Sequence, residues 1–386
     1  MTGILLVWEC FGCADILEAF RQEGHTIREV KTTQEILLSG ELSELLDETL
    51  KTNTADFIFS FNFFPNLANY CKDKGIPYLS WTYDSPYIHL YSYTLIYPTN
   101  RVFVFDSDTY LKFHSQGIDT VRFLPMAANP ERLEKLTALS VGNKNVPSKN
   151  GITFVGSLYD TEHDFYGRMK GLKPYTEGYL RGLMEAQKRL YGLDIVEPAL
   201  TKAVLEDMRR VLPLEPKSDT VATIEYLFAQ YVLHRRITAE ERKTILESLG
   251  KLFHVDAYTP LSANGPAGCS IHGPVDFYEE APKIYASSAI NLNISLRSIV
   301  NGIPLRCFEI MGSGGFLLTD HRGDMDLFFE EGKEFVSFSD GEELLRKARY
   351  YLENAEERRT VAKNAGRKIL EAHTYRHRVR EMLDSL

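Results

Sequence analysis

The sequence predicts an α/β protein built from two doubly wound parallel sheets in series, and three observations lead to that class. Short apolar runs alternate with helical patterns through residues 1–125, and the same alternation resumes after about residue 150. The 386 residues, 44% hydrophobic and 25% charged, have ordinary globular composition. That length exceeds what one hydrophobic core usually serves. We therefore expect two sheet domains, each covered by helices on both faces.

The first domain is expected to hold six strands. Their apolar runs lack strict alternation and are separated by helical or polar stretches, a pattern typical of parallel strands buried on both faces. Glycines such as Gly24 and Gly75 fall where intervening helices would end. The predicted strands are 4–8, 26–30, 57–61, 78–81, 102–105 and 121–124.

A polar stretch over 141–150 is the expected interdomain linker. Strand character then returns at 152–155, 251–258, 289–294, 315–319 and 335–338. Between the first two of these strands, residues from about 161 to 250 have helical patterns, including a predicted capping box of Thr238 and Glu241. We thus expect an N-terminal domain over 1–145 and a C-terminal domain over 146–365 with a helical insertion. A last helix is expected over 366–386, and it could pack back on the N-terminal domain.

Composition excludes several functional classes. A net charge of −9 argues against a large sequence-independent nucleic-acid surface, which needs an excess of basic residues. No run of about 18 apolar residues occurs, so no membrane span is expected. The first residues lack the basic region of a signal peptide. The five cysteines are too sparse for a disulfide scaffold and suit a reducing cytosol, so a cytoplasmic protein is expected.

The segment 290–320 carries the strongest chemical signal. A strand runs into a polar loop, and Asn301-Gly302-Ile303-Pro304 then opens a helix containing Arg306 and Glu309. Helix N-termini favour anions, and an arginine one turn inside could bind a diphosphate with both arms of its guanidinium. Arg297, in the preceding loop, is a second candidate to neutralise a leaving diphosphate. The alternative is an Arg306–Glu309 pair within the helix, worth about 0.5 kcal/mol or less on a surface.

Asp84 is the candidate general base of the first domain. It follows the fourth predicted strand, next to Trp81, Tyr83 and Tyr87, where a carboxylate could deprotonate an acceptor hydroxyl. The alternative is a turn in which Asp84 accepts backbone N–H bonds.

The runs NGIPLRCFEIMGSGGFLLTD and IYASSAINLNIS, with WTYDSP and FLPMAANP upstream, resemble the CgeB-like (spore maturation protein) glycosyltransferases of the GT-B fold. The resemblance implies two Rossmann-like domains facing a cleft, with the nucleotide-sugar on the second. It implies that Glu309 contacts the ribose and that Asn301, where the fold usually has glutamate, contacts the donor sugar. Backbone at Gly156-Ser157 would approach the phosphates, and the loop at His272-Gly273 would pack on the nucleobase. The donor-site candidates are Gly156, Ser157, His272, Gly273, Asn293, Ser295, Arg297, Asn301, Gly302, Arg306 and Glu309, and the catalytic candidates are Asp84 and Arg306.

The function expected is transfer of a sugar from a nucleotide-sugar, expected to be a UDP-sugar, to a hydroxyl of a glycan, protein or small molecule. Arg306 and helix N–H groups would stabilise the leaving diphosphate, so neither a metal nor a cofactor is expected. Two other functions stay open: a GT-B-type epimerase and a non-catalytic binding scaffold.

Two further motifs are discounted. Cys10-Phe11-Gly12-Cys13 has the spacing of a redox pair, but the surrounding alternating sheet is far larger than a thioredoxin domain. The triplets 106–108 and 324–326 have the Asp-x-Asp pattern of metal-nucleotide sites, but Asp at such positions also caps helices.

Overall fold

The computed structural model describes residues 1–51, 54–138, 151–160, 164–216, 218–260 and 265–386. The predicted linker at 141–150 lies outside these residues. The chain divides into two compact units. Unit 1 holds Met1–Asn129, Ala372–Leu386 and a short segment around Thr220, and unit 2 holds Pro130–Pro216 and Thr223–Glu371. The boundaries expected at 145/146 and 365/366 stay predictions; the two compact units change over at 129/130 and 371/372.

Unit 1 is built on a parallel sheet of six strands in the order β2-β1-β3-β4-β5-β6. The central strands are buried on both faces, as their continuous apolar sequences require. The strand bounds are β1 Thr2–Val7, β2 Thr26–Lys31, β3 Phe57–Phe61, β4 Tyr78–Thr82, β5 Asn100–Val104 and β6 Val121–Phe123.

Glycine and proline residues mark the ends of several helices in unit 1. Helix α1 starts after Gly12, whose φ of 87° favours glycine, and buries Ile16 and Phe20 against the sheet. Helix α4 opens on Pro65 and ends at Gly75 in the left-handed region. The helices are α1 Cys13–Gln22, α2 Gln34–Leu37, α3 Glu41–Leu50, α4 Pro65–Lys74 and α5 Ser107–His114, with 3₁₀ turns at Ile88–Tyr91 and Tyr93–Ile96.

Unit 2 has a second parallel sheet of six strands, in the order β12-β11-β10-β7-β8-β9. Each sheet is doubly wound, which confirms the predicted fold class. The strands are β7 Ile152–Val155, β8 Val255–Tyr258, β9 Ser270–His272, β10 Ile290–Asn293, β11 Leu317–Asp320 and β12 Val336–Phe338. The helices are α6 Pro130–Ala138, α7 Phe165–Arg168, α8 Pro174–Lys188, α9 Val196–Ala199, α10 Lys202–Val211, α11 Ile224–Tyr226, α12 His234–Gly250, α13 Ala281–Ser287, α14 Leu305–Gly312, α15 Met325–Phe328, α16 Gly341–Glu353 and α17 Ala355–Ala372.

The predicted helical insertion is confirmed as helices α7 to α12, between β7 and β8. It has a hydrophobic core of its own, which includes Leu180, Met208 and Phe228. The predicted capping box at Thr238 is wrong, because a π-helical turn at Leu227–Leu233 leads directly into α12. Thr238 therefore lies inside the helix, where its hydroxyl donates to the His234 carbonyl at 2.8 Å.

The last helix, α18 (Tyr375–Leu383), belongs to unit 1 and packs against α1. Its Arg378 is buried, and its Nε donates to the carbonyl oxygen of Pro125 at 2.8 Å. A backbone bridge joins Ala128 to Thr374 just before the helix. Among the described residues, no helix is both long and apolar enough to cross a membrane.

Candidate functional site

The carboxyl edge of the unit 2 sheet gathers several predicted site residues around Arg306. Gly156 follows β7, Asn293 ends β10, and Arg306 lies in the first turn of α14. The Arg306 Nη1 donates to Asn293 Oδ1 at 3.1 Å. A Cβ added to Gly156 would lie 3.0 Å from the Arg306 Nη2, closer than most Cβ contacts, so a larger residue at this position would displace the Arg306 guanidinium. The structure thus brings Gly156, Asn293 and Arg306 together.

Arg306 retains unused hydrogen-bonding capacity. Its Nε is buried and has no hydrogen-bond partner among the described residues. A buried donor without a partner costs free energy, which a ligand accepting that hydrogen bond would recover. Because the guanidinium is a charged fork next to a helix N-terminus, the ligand it fits best is an oxyanion.

A buried polar network fixes the side chain that holds Arg306. The Asn293 Nδ2 donates to Ser295 Oγ and to Thr319 Oγ1, both at 3.0 Å. The Asp320 carboxylate accepts from the Ser295 backbone N–H at 3.0 Å and pairs with Arg322. Burial alone would raise the pKa of Asp320, but the Arg322 charge and the hydrogen bonds hold it below its usual range. Asn293 therefore has its Oδ1 left to orient Arg306.

Arg242, in the insertion helix α12, is a second cation at this edge that sequence reasoning missed. It is buried, and its guanidinium donates to the carbonyl oxygens of Ser157 and Ile294, just beyond β7 and β10. Among the described residues it has no carboxylate partner. Burial, together with the nearby charge of Arg306, lowers the pKa of Arg242 to about 10, so it remains protonated at neutral pH. Within the described part of the chain, neither Arg242 nor Arg306 is paired with a carboxylate, so both contribute positive charge at this edge.

Arg297 does not lie free to meet a diphosphate, and this expectation is corrected. Its guanidinium pairs with Glu241 and donates to the carbonyl oxygens of Leu190 at 2.7 Å and Lys188 at 3.0 Å. Burial opposes the charged form, but Glu241 more than offsets it and raises the pKa of Arg297. The side chain is 3% exposed. Arg297 instead ties the loop after β10 to the helical insertion, and Glu241, expected as a cap, is its partner.

Glu309 is fully buried and forms no pair with Arg306. Both of its carboxylate oxygens lie 2.8 Å from Nη2 of Arg132, on α6. The Arg132 guanidinium in turn stacks on the Tyr278 ring at 4.0 Å and donates to the Tyr278 carbonyl. Sequence reasoning missed Arg132, since 177 residues separate it from its partner. The contact of Glu309 with a ribose stays a prediction, and any such ligand would meet the Arg132 pair.

The remaining donor-site candidates lie in loops of unit 2. Asn301 accepts the Asp324 backbone N–H through its carbonyl at 3.1 Å, and Gly302 is buried beside it. The His272 Nε2 lies 2.8 Å from Asp256 Oδ1, and its ring stacks on Tyr258 at 4.5 Å. These two contacts hold the His272 ring in place within unit 2, and a contact of this loop with a nucleobase stays a prediction.

Gly273, directly after His272, is exposed, so its backbone is open to a ligand. Ser157 keeps its hydroxyl within its own turn, where it accepts the Tyr159 N–H at 3.0 Å. Contact of Gly273 with a base and of Ser157 with a phosphate therefore depends on their backbone groups.

In unit 1, Asp84 belongs to a second polar site at the carboxyl edge of the sheet. Asn62, directly after β3, is buried with a φ of 58° and donates from Nδ2 to Asp84 Oδ2 at 2.7 Å. The Asn62 Oδ1 accepts the backbone N–H groups of Tyr83 at 3.1 Å and Asp84 at 3.4 Å. A non-glycine residue held in the left-handed region indicates that the surroundings impose its geometry. Asn62 thus positions the loop that carries Asp84.

The Asp84 side chain is open to solvent, yet protein atoms surround it closely. This partial desolvation raises the pKa of Asp84, and the Asn62 hydrogen bond acts in the opposite direction. An accessible carboxylate with a raised pKa has the properties that a general base requires.

Comparison with solved structures places the fold in the GT-B class. The chain is similar over its full length to sucrose-phosphate synthase from Thermosynechococcus elongatus, with 12% identity, 98% of that chain covered and a TM-score of 0.52. It is similar to OtsA, with 11% identity, 100% and 98% of the two chains covered and a TM-score of 0.54. Anabaena HepE in complex with UDP-glucose matches with 14% identity, full coverage of both chains and a TM-score of 0.50. At these identities the likeness establishes the fold.

One family model matches part of the chain. Residues 235–384 match the family described as glycosyl transferase-like. This segment contains all of α12 except its first residue, the polar network around Asp320, and the Arg306 helix. No curated protein sequence matches the chain at a significant level.

Proposed function

We propose that the protein is a glycosyltransferase that moves a sugar from a UDP-sugar to an acceptor hydroxyl without a metal ion, and that it is related to the CgeB-like enzymes. One observation carries the proposal: the buried Nε of Arg306, next to Gly156 at the start of α14, has no hydrogen-bond partner in the described parts of the chain. The match of residues 235–384 to a glycosyl transferase-like family and the UDP-glucose bound to the structurally similar Anabaena protein support it.

The leaving diphosphate would be stabilised by fixed positive charge in unit 2. Arg306 would donate to its oxygens directly, and the first turn of α14 would add its backbone dipoles. Arg242 already donates from Nε and both Nη atoms to the carbonyl oxygens of Ile294 and Ser157, so it would act mainly through its charge rather than by contact. The charges of Arg306 and Arg242 would stabilise the leaving diphosphate as a divalent cation does in metal-dependent enzymes. For this reason a metal-independent reaction is proposed.

The nucleoside would lie towards Glu309 and the loop at Gly273. Arg132 holds Glu309 in one orientation, so a ribose could share the carboxylate only through its remaining lone pairs or by displacing Arg132. Asn301 has an amide where the resemblance expects a carboxylate. It can still donate to and accept from sugar hydroxyls, but it adds no negative charge near the diphosphate.

Asp84 of unit 1 would be the general base. Its carboxylate would take the proton of the acceptor hydroxyl as the oxygen bonds to the sugar carbon, while the bond from that carbon to the diphosphate breaks. Asn62 is a positioning residue in this scheme, because it touches Asp84 and the backbone beside it.

Nucleotide binding by calorimetry tests the donor site, with UDP as probe and Arg306→Gln as variant. Loss of a charge-assisted hydrogen bond worth about 1.5–3 kcal/mol should weaken UDP binding roughly 10- to 100-fold. Arg346→Gln, an exposed arginine on α16, is the matched control and should leave the affinity unchanged. Equal affinity in both variants would overturn the role of Arg306, and no binding of any nucleoside diphosphate to the wild type would overturn the donor site. Turnover of UDP-sugar to an isomer without acceptor would indicate an epimerase instead.

A further inference from the structure

The loop between β1 and α1 holds two cysteines with their sulfur atoms in contact. The Cys10 and Cys13 Sγ atoms are 2.9 Å apart. The loop is tightly held: the Cys10 N–H donates to the Trp8 carbonyl at 2.6 Å, and a Cβ added to Gly12 would lie 2.8 Å from the Tyr375 hydroxyl. A disulfide needs a sulfur separation of about 2.05 Å, so closing the bond requires a movement of under about 1 Å.

The two thiols have different environments: the pKa of one is lowered and the pKa of the other is raised, as in reactive cysteine pairs. Cys13 is the first residue of α1, and the hydrogen bond that it shares with the Cys10 thiol lowers the pKa of Cys13. The same hydrogen bond raises the pKa of Cys10, which is partly exposed and so can be reached by a reagent. Cys71 and Cys307, by contrast, are buried, and burial raises the pKa of each thiol.

The pair lies at the same sheet edge as the candidate base. Strands β1, β3 and β4 are neighbours, and the cysteine loop, Asn62 and Asp84 follow their respective carboxyl ends. The Asp84 charge contributes to the raised pKa of Cys10, and both thiols act on the pKa of Tyr83, the residue before Asp84. The sulfur pair is thus close enough to Asp84 and Tyr83 for their charges to interact, and a change in the pair would act on Asp84 through that interaction.

We propose that Cys10 and Cys13 form a reversible disulfide with small-molecule disulfides such as oxidised glutathione, and that this modification controls the acceptor chemistry at Asp84. One protein thiolate attacks the reagent disulfide, forming a mixed disulfide and releasing one reagent thiolate. The second cysteine attacks the mixed disulfide at the protein sulfur and releases the other. The protein pair loses two electrons and two protons, and the reagent gains them as two thiols.

Disulfide formation replaces two thiols near Asp84 with a neutral group that has no hydrogen to donate, and it brings the Cys10 and Cys13 sulfur atoms closer together. Acceptor-dependent transfer, which rests on the function proposed above, should fall at least tenfold in the disulfide form. UDP affinity should stay constant, because Arg306 and its partners belong to unit 2.

The first measurement needs no activity. The full chain is incubated with oxidised glutathione, its remaining thiols are alkylated, and its mass is determined. The wild type and the Cys269→Ser control should each form one internal disulfide, seen as the loss of two hydrogens. Cys10→Ser and Cys13→Ser should form none. Absence of the disulfide in the wild type would overturn the inference while leaving the proposed function standing.

The second measurement follows Asp84 itself. The two tryptophans of the chain, Trp8 and Trp81, both belong to unit 1 and flank this edge, so their fluorescence can report a pH titration of Asp84, with Asp84→Asn as the blank. A titration midpoint that shifts between the reduced and oxidised proteins is expected. An unchanged midpoint and an unchanged transfer rate would overturn the control of Asp84, and absence of transfer in the reduced protein would instead count against the proposed function.

Discussion

At the scale of single residues, the partners of a guanidinium decide what it can do. Arg297 and Arg306 both follow β10. Arg297 is bound by a carboxylate and two carbonyl groups, whereas no described residue accepts a hydrogen bond from the Nε of Arg306. An arginine whose donors are all used stabilises the fold, and an arginine with an unused buried donor is prepared for a ligand. The sequence places both arginines near the site, but it could not distinguish their roles. The partners of Arg297, Glu241 and Leu190, belong to a helical segment that is distant in sequence.

The pH dependence of transfer should report the environment of Asp84. A general base works deprotonated, and desolvation raises the pKa of Asp84, so activity should fall as pH drops through that raised value. The acid limb of kcat/KM should therefore lie above the ordinary carboxyl value of about 3.9. Asp84→Asn should lower kcat about 100-fold or more with UDP affinity unchanged. An acid limb that survives in Asp84→Asn would assign it to another group.

At the scale of elements, the insertion depends on a carboxylate that joins two of its helices. Asp207 on α10 accepts the backbone N–H of Lys173, at the start of α8, at 2.8 Å and pairs with Arg210. Although desolvation opposes ionisation, these contacts lower the pKa of Asp207 to about 2. Its contribution to stability is thus complete above the unfolded value of about 3.9 and is lost as pH falls towards 2.

Asp207→Asn should reduce the free energy of unfolding by about 1–2 kcal/mol at pH 6. The difference from wild type should shrink between pH 4 and pH 2, where the wild-type carboxylate takes up its proton. Urea denaturation at several pH values measures this difference. Glu206→Gln, at the exposed neighbouring position, is the control and should give a difference near zero at every pH. A constant difference for Asp207→Asn across that range would contradict the assignment.

The strands were the elements most accessible to sequence reasoning, because apolar runs such as Phe57–Phe61 have one stable environment, the middle of a covered sheet. Helix starts were harder to predict. Thr238 and Glu241 have the spacing of a capping box, but the preceding π-helical turn continues the helix through them, and both side chains serve Arg297 instead. The Arg132–Glu309 and Asn62–Asp84 contacts join residues from different elements, and such contacts cannot be predicted from local sequence patterns.

At the scale of the whole molecule, unit 1 is completed by residues from the far end of the chain. Arg378 on α18 donates to carbonyl groups at Pro125 and Met126, beside the end of the sheet. Arg378→Met should leave these acceptors unsatisfied and cost about 2–4 kcal/mol. Calorimetry should show the transition of unit 1 moved to lower temperature, with UDP binding retained. Loss of both transitions together would mean that the units do not unfold independently.

The return of α18 to unit 1 has a consequence for synthesis. A ribosome makes residues 1–129 first, but their sheet lacks its last helix until residues 372–386 emerge. Domains usually fold in the order of their synthesis. Here we expect the opposite order. Unit 2 can complete its folding before unit 1, because unit 1 lacks α18 and its α1 surface is still uncovered. The surface of α1 that α18 covers would therefore stay exposed on the nascent chain until residues 372–386 are made.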